Sequence, residues 1–171
     1  MSTDHFYLQC WAIHEAGHAV VAVYLGVPVK CVQLRSYLMV LRDGDLSGGR
    51  VTFLQSETLQ LDEHAIVSVA ARVAVDELIR PGAHPETAYS DDEDCLREIA
   101  STLGITDFQP WRLSVMTRAR EIVSIHHVRT AILRVASELQ TVLPEDGLTG
   151  EHVREVLRAC EKSLHSTRRV E

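Results

Sequence analysis

From Cys10 to Leu25 the chain reads CWAIHEAGHAVVAVYL, apolar at nearly every position. A helix with that pattern has no polar stripe to turn toward water and belongs inside the fold. Asp4 is a candidate N-cap and Gly26, just before Pro28, a candidate stop, which predicts a helix from about Phe6 to Leu25. Beyond it the apolar period shortens from helical to alternating. Val29 to Leu34 alternates and is β-branched, Arg50 to Leu54 repeats the pattern over a shorter run, and Tyr37 to Leu41 reads as a third strand. Asp43-Gly44-Asp45 and Gly48-Gly49 read as turns between them.

Helical periodicity returns from Thr58 to Ile79 and stops before Pro81-Gly82. A polar loop from Gly82 to Tyr89 leads to Ser90, an N-cap for a helix from Asp91 to Leu103. The acidic residues Asp91, Asp92, Glu93 and Asp94 suit the positive end of that helix. Trp111 to Leu143 is long enough for one extended helix or two shorter ones. Pro144 to Gly147 then makes a turn, and Thr149 opens a last helix through about His165. There is no internal repeat. The expected fold class is α+β, predominantly helical, with a small β-sheet between the first helix and the helices that follow, as one domain over residues 1–171.

Composition narrows the partners. The net charge of -7 argues against a nucleic-acid-binding surface, and Arg168-Arg169 reads as a solvated tail. No apolar run reaches the length of a membrane span, and MSTDHFYLQ lacks the pattern of a signal peptide. Cys10, Cys31, Cys95 and Cys160 are scattered without CxxC spacing, which points to reduced thiols in the cytoplasm rather than a disulfide framework.

The chemistry is concentrated in His14-Glu15-Ala16-Gly17-His18. Residues four apart share a helix face, so both imidazoles can address one ion, and neutral imidazole is a good ligand for Zn²⁺. Glu15 is placed to take a proton from a water that the ion activates. HExxH arises by chance in roughly one chain in a few hundred of this length, so the match is fairly specific. Two imidazoles and a carboxylate on a buried helix are costly unless something pairs with them, and a metal ion does so. A catalytic zinc takes three protein ligands and keeps one open position. No third His follows at HxxGxxH spacing. The third ligand therefore comes from another His, from Glu63 or Glu77, from the 91–94 cluster or from Cys95.

The stretch HEAGHAVVA resembles the zinc helix of the FtsH family, the peptidase half of membrane-anchored AAA+ proteases. The likeness continues in Gly26-Val27-Pro28-Val29 with Val32, in Gly48-Gly49-Arg50-Val51-Thr52-Phe53, and in Ala70-Ala71-Arg72-Val73-Ala74 with Asp76-Glu77-Leu78. Ser90-Asp91-Asp92 resembles the family's S-N-D, whose Asp is its third zinc ligand; Arg118-Ala119-Arg120-Glu121-Ile122 and Leu148-Thr149-Gly150-Glu151 resemble its later helices. The resemblance implies Asp92 as third ligand, with Asp91, Asp94 and Cys95 as the neighbours to be distinguished from it. Ala70-Ala71 stand in place of paired glycines and Val75 in place of a Glu, which leaves Asp76 or Glu77 to support the metal ligands. There is no GxxxxGK[ST] loop for an ATPase.

The resemblance implies a zinc metalloendopeptidase in which His14, His18 and Asp92 hold Zn²⁺ and Glu15 is the general base. Its substrate is a polypeptide, with the strand near Val51 to Leu54 as an edge for an extended peptide. The family's peptidase domains form rings, so the likeness raises a homo-oligomeric ring; a separate ATPase subunit is the alternative partner, since the sequence carries no ATPase loop of its own. Two other readings compete: a zinc-stabilised regulatory or interaction domain, and a zinc hydrolase of non-peptide amides. An intact Glu15 weighs against the first, because a purely structural site needs no base.

Overall fold

The computed structural model describes residues 3–34, 48–54, 61–83, 90–143 and 145–167. Within them the chain runs α1 (Thr3–Tyr24), β1 (Val29–Leu34), β2 (Gly49–Phe53), α2 (Leu61–Leu78), α3 (Ser90–Thr102), α4 (Phe108–Ser124), α5 (His126–Leu139), β3 (Leu148–Thr149) and α6 (Gly150–Thr167). It is mainly helical with a small antiparallel sheet, an α+β arrangement. The strand expected over Tyr37 to Leu41, the Asp43–Asp45 turn, Pro144, Arg168-Arg169 and most of the loop from Gly82 to Tyr89 lie outside the described residues.

Helix α1 is the centre of the molecule. Cys10, Ala12, Ile13, Ala16 and the run from Ala19 to Ala22 are all buried, so every face of the helix meets protein, as its lack of a polar stripe demands. It packs chiefly on α2 and α5 and carries β1 and α6 at its flanks. It begins at Thr3, so Asp4 lies inside the helix rather than capping it. Its end is a glycine stop: Gly26 takes φ +80, its N–H reaches the Val23 carbonyl at 3.2 Å, and the Val27 N–H reaches Ala22 at 2.8 Å. Those two bonds satisfy carbonyls that the last turn leaves open, in a conformation that glycine adopts without strain.

The sheet order is β2-β1-β3, antiparallel throughout. β1 has the bounds its alternation predicts, and its Val29, Val32 and Leu34 are buried on the core. A bulge at Lys30 separates the Val29–Phe53 pair from the Cys31–Thr52 pair. β3 is a difference from expectation. The sheet is not built only from segments following α1; its third strand comes from Leu148-Thr149, late in the chain, where Cys31 pairs with Thr149 and Val32 with Leu148. Two residues are too few to show an alternating pattern, so this strand left no periodic trace. Thr149 also caps α6, its hydroxyl accepting the His152 N–H at 3.2 Å.

The long helical stretch from Trp111 is two helices. Ile125, with ψ at 123, is extended and separates α4 from α5. The break falls in Val123-Ser124-Ile125-His126-His127, a run of weak helix formers.

Candidate metal centre

Three helices build the site. On α1, His14 and His18 share one face and turn their rings edge to face, centroids 4.8 Å apart. On α3, Asp92 sits in the first turn, where the helix's unpaired N–H groups favour a negative charge. Its Oδ2 lies 3.4 Å from His14 Nε2 and its Oδ1 3.2 Å from His18 Nε2. The ligand atoms of all three residues fall within 4.8 Å of one another, so the group can hold a metal ion. Two donors on a four-coordinate ion with bonds of roughly 2.0–2.1 Å stand about 3.3 Å apart. The His–Asp spacings match that edge.

Helix α2 fixes the tautomer. His18 Nδ1 is 2.7 Å from the Val67 carbonyl. A carbonyl only accepts, so Nδ1 carries the proton and Nε2 presents its lone pair toward Asp92 and His14. Burial works against an imidazolium at His18. The adjoining Asp92 carboxylate, Glu15 and the Val67 carbonyl outweigh it and lift the pKa to about 9. The pocket therefore favours a cation at Nε2, whether proton or metal. The side chains of His14 and His18 are 8% and 11% exposed and that of Asp92 23%, so the cluster is largely shielded from solvent.

Glu15 is buried beside the cluster. Burial raises its carboxyl to about 7; nearby His18 pulls it down and Asp92 adds to the rise. The residues that make room for it are the surprise. A Cβ on Gly49 would stand 2.4 Å from Glu15 Cγ and 2.8 Å from its Cδ, and one on Gly48 would strike the Trp11 ring at 2.1 Å. Trp11 and Glu15 are one turn apart on α1, and the Gly48-Gly49 pair lies directly over them. Neither glycine has positive φ. Both positions require glycine for this close approach, a role beyond the turn that the sequence predicts there, whose preceding residues lie outside the described ones.

Gly17 plays the same part on the other side of α1. A Cβ there would meet Ala74 Cβ at 2.9 Å, Ala71 Cα at 3.0 Å and Ala70 O at 3.2 Å. Small residues on both helices bring α2 near enough for Val67 to reach His18.

Of the other candidates, Asp91 and Asp94 are exposed and outside the cluster. Cys95 is also outside it, its Sγ accepting from the Ser68 hydroxyl at 3.4 Å. Asp76 and Glu77 do not support the ligands: Asp76 accepts the Gly82 N–H at 3.0 Å and Glu77 accepts from Arg120 at 2.8 Å. The supporting acceptor is the Val67 carbonyl. Every residue has a carbonyl, so no side-chain signal marks this one. All four cysteines are free thiols. Among the described residues no helix is long and apolar enough to cross a membrane.

No protein-family model matches the chain, and no curated protein matches it.

Proposed function

We propose that this chain is a zinc-dependent metalloendopeptidase of the FtsH type, with His14, His18 and Asp92 as zinc ligands and Glu15 as general base. The observation that carries the reading is Glu15, a buried carboxylate beside a group of two imidazoles and one carboxylate whose spacing suits a single ion. A metal that only held the fold together would need no such base. Two His and one carboxylate are also a zinc donor set that keeps a position open.

Zn²⁺ bound there would polarise a scissile carbonyl and acidify a water. Glu15 accepts the proton of the attacking water and returns it to the leaving amine. Val67 holds His18 in the ligating tautomer. Gly49 admits the Glu15 side chain to its place under β2. Among the described residues the outer edge of β2 has no strand partner. Its stretch from Val51 to Leu54 is the track on which an extended peptide would add as a strand. Substrates of this kind are unfolded segments, loops or peptides. Family likeness further suggests a homo-oligomeric ring, with a separate ATPase subunit as the alternative partner, and four free thiols suit a cytoplasmic setting.

The test is metal content and cleavage of casein or a peptide library by the wild type and by Glu15→Gln. The reading expects about one zinc per chain in both proteins and cleavage by the wild type alone. Retained turnover in Glu15→Gln sinks the base assignment, and a wild type that binds no zinc sinks the whole reading.

A further inference from the structure

Beside Asp92 lies a groove between α2, α3 and α4. Ser68, Arg72, Asp92, Glu93, Arg112 and Met116 line it, and it opens to solvent around a hollow of about 20 Å³. That is far below the roughly 300–1,000 Å³ of a site for a whole small molecule, and admits only the polar head of one side chain or a chain terminus entering from the open side.

Its charges are not balanced as a floor of two carboxylates would suggest. Asp92 is engaged by the two imidazoles of the metal centre. Glu93 is met by two arginines, Arg112 at 3.0 Å and Arg97 at 3.5 Å. Arg97 also stacks over the Phe108 ring at 4.7 Å. Arg112 is the informative residue. Its side chain is only 17% exposed, and it reaches Glu93 through Nε. Among the described residues no acceptor meets its two Nη groups. A guanidinium carries five N–H donors in a planar fork suited to a carboxylate; Arg112 spends one on protein and turns its Nη groups to the solvent-filled groove, where an incoming acceptor can displace water. Arg72 adds a second cation from α2, with Asp76 4.0 Å away, and Met116 gives an apolar wall for the methylenes of a side chain.

We infer that this groove is a carboxylate subsite of the metal centre. It takes an acidic side chain or a free C-terminal carboxylate near the bond to be cut, with Arg112 as its principal contact. The inference rests on the peptidase reading for its role and on binding alone for its existence.

The probes are fluorescein-labelled peptides on one neutral sequence, carrying a single Glu or Gln moved position by position, each made with a C-terminal acid and a C-terminal amide. Binding is read by anisotropy on zinc-loaded Glu15→Gln protein, so that nothing is consumed. Cleavage of the same peptides by the wild type is followed in parallel. At one position Glu binds about tenfold or more tightly than Gln, the size of one charge-assisted hydrogen bond. If the natural ligand is a chain terminus, acid exceeds amide by that factor instead. Arg112→Gln abolishes the preference while zinc content holds, and the more exposed Arg72→Gln weakens it should Arg112→Gln fold poorly. Equal binding of Glu and Gln and of acid and amide overturns the subsite, and cleavage that ignores the carboxylate does so while leaving the peptidase reading intact. Carboxylate-dependent binding without any cleavage overturns the peptidase reading and leaves the subsite.

Discussion

Replacing Gly49 with Ala isolates the close approach that seats the general base. The new Cβ would lie 2.4 Å and 2.8 Å from two carbons of the buried Glu15 side chain and 2.7 Å from the Gln33 carbonyl of the neighbouring strand. The first two contacts can be relieved only by moving Glu15, the third only by moving strands. Overpacking of this kind costs about 1–3 kcal/mol. The substitution also removes freedom from the unfolded chain, which offsets up to about 1 kcal/mol. The net is about 1–2 kcal/mol of destabilisation, or a melting temperature about 2–8 °C lower for a chain of this size. Zinc content should hold, because His14, His18 and Asp92 are untouched, while peptide cleavage falls with the displaced base. Adding Glu15→Ala removes two of the three contacts, so a double-mutant cycle should show coupling above about 0.5 kcal/mol. A Gly49→Ala protein that melts with the wild type and cleaves at the wild-type rate would refute the argument.

Asp92→Asn should weaken zinc binding at least about tenfold and Asp91→Asn hardly at all, since only Asp92 joins the cluster; equal losses in a competitive chelator titration would reject the assignment. Removal of the metal should lower the melting temperature, by an amount that reflects about 4 kcal/mol when free zinc stands a thousandfold above its dissociation constant. Calorimetry with and without chelator reads it, and an unchanged transition would mean that the site is empty. At the α5–α6 contact, burial tends to raise the Glu138 carboxyl, but hydrogen bonds from His152 at 2.5 Å and Arg134 at 3.2 Å prevail and hold it below its ordinary 4.5. A carboxyl lowered by folding stabilises in full above that value and loses the contribution as the pH falls through the lowered one. Glu138→Gln should therefore cost up to about 1 kcal/mol at pH 7 and progressively less as the pH falls through the lowered value. A cost independent of pH would show that packing, not charge, is at stake.

The buried helix was legible because its pattern leaves no solvent face, and His14, Glu15, His18 and their spacing were legible as chemistry. Strand β1 was legible from its alternation alone. Asp92 was harder. Four acidic residues in a row satisfy the helix end equally well, and only the packing of α3 against α2 decides which of them points at the imidazoles. Gly48-Gly49 show the opposite failure. Their identity was plain but ambiguous, since glycine serves both turns and tight contacts, and only the positions of Trp11 and Glu15 beneath them separate the two. The Val67 carbonyl and the pairing of β1 with β3 are backbone events. Such features depend on which segments meet, and the residues concerned carry no chemical mark of it.

The place of β3 in the chain has a consequence for assembly. All three candidate ligands and the Val67 carbonyl are supplied by α1, α2 and α3, before the chain reaches α4. The partner for the inner edge of β1 arrives only with Leu148-Thr149, and Gly150 must then fit against the Val29 carbonyl with no room for a side chain. Contacts between such distant segments form slowly, because the intervening chain must first be ordered. A metal ion captured early would pin α1 to α3 and shorten the search that remains. On a ribosome, the ion's ligands would all have emerged well before the strand that completes the sheet.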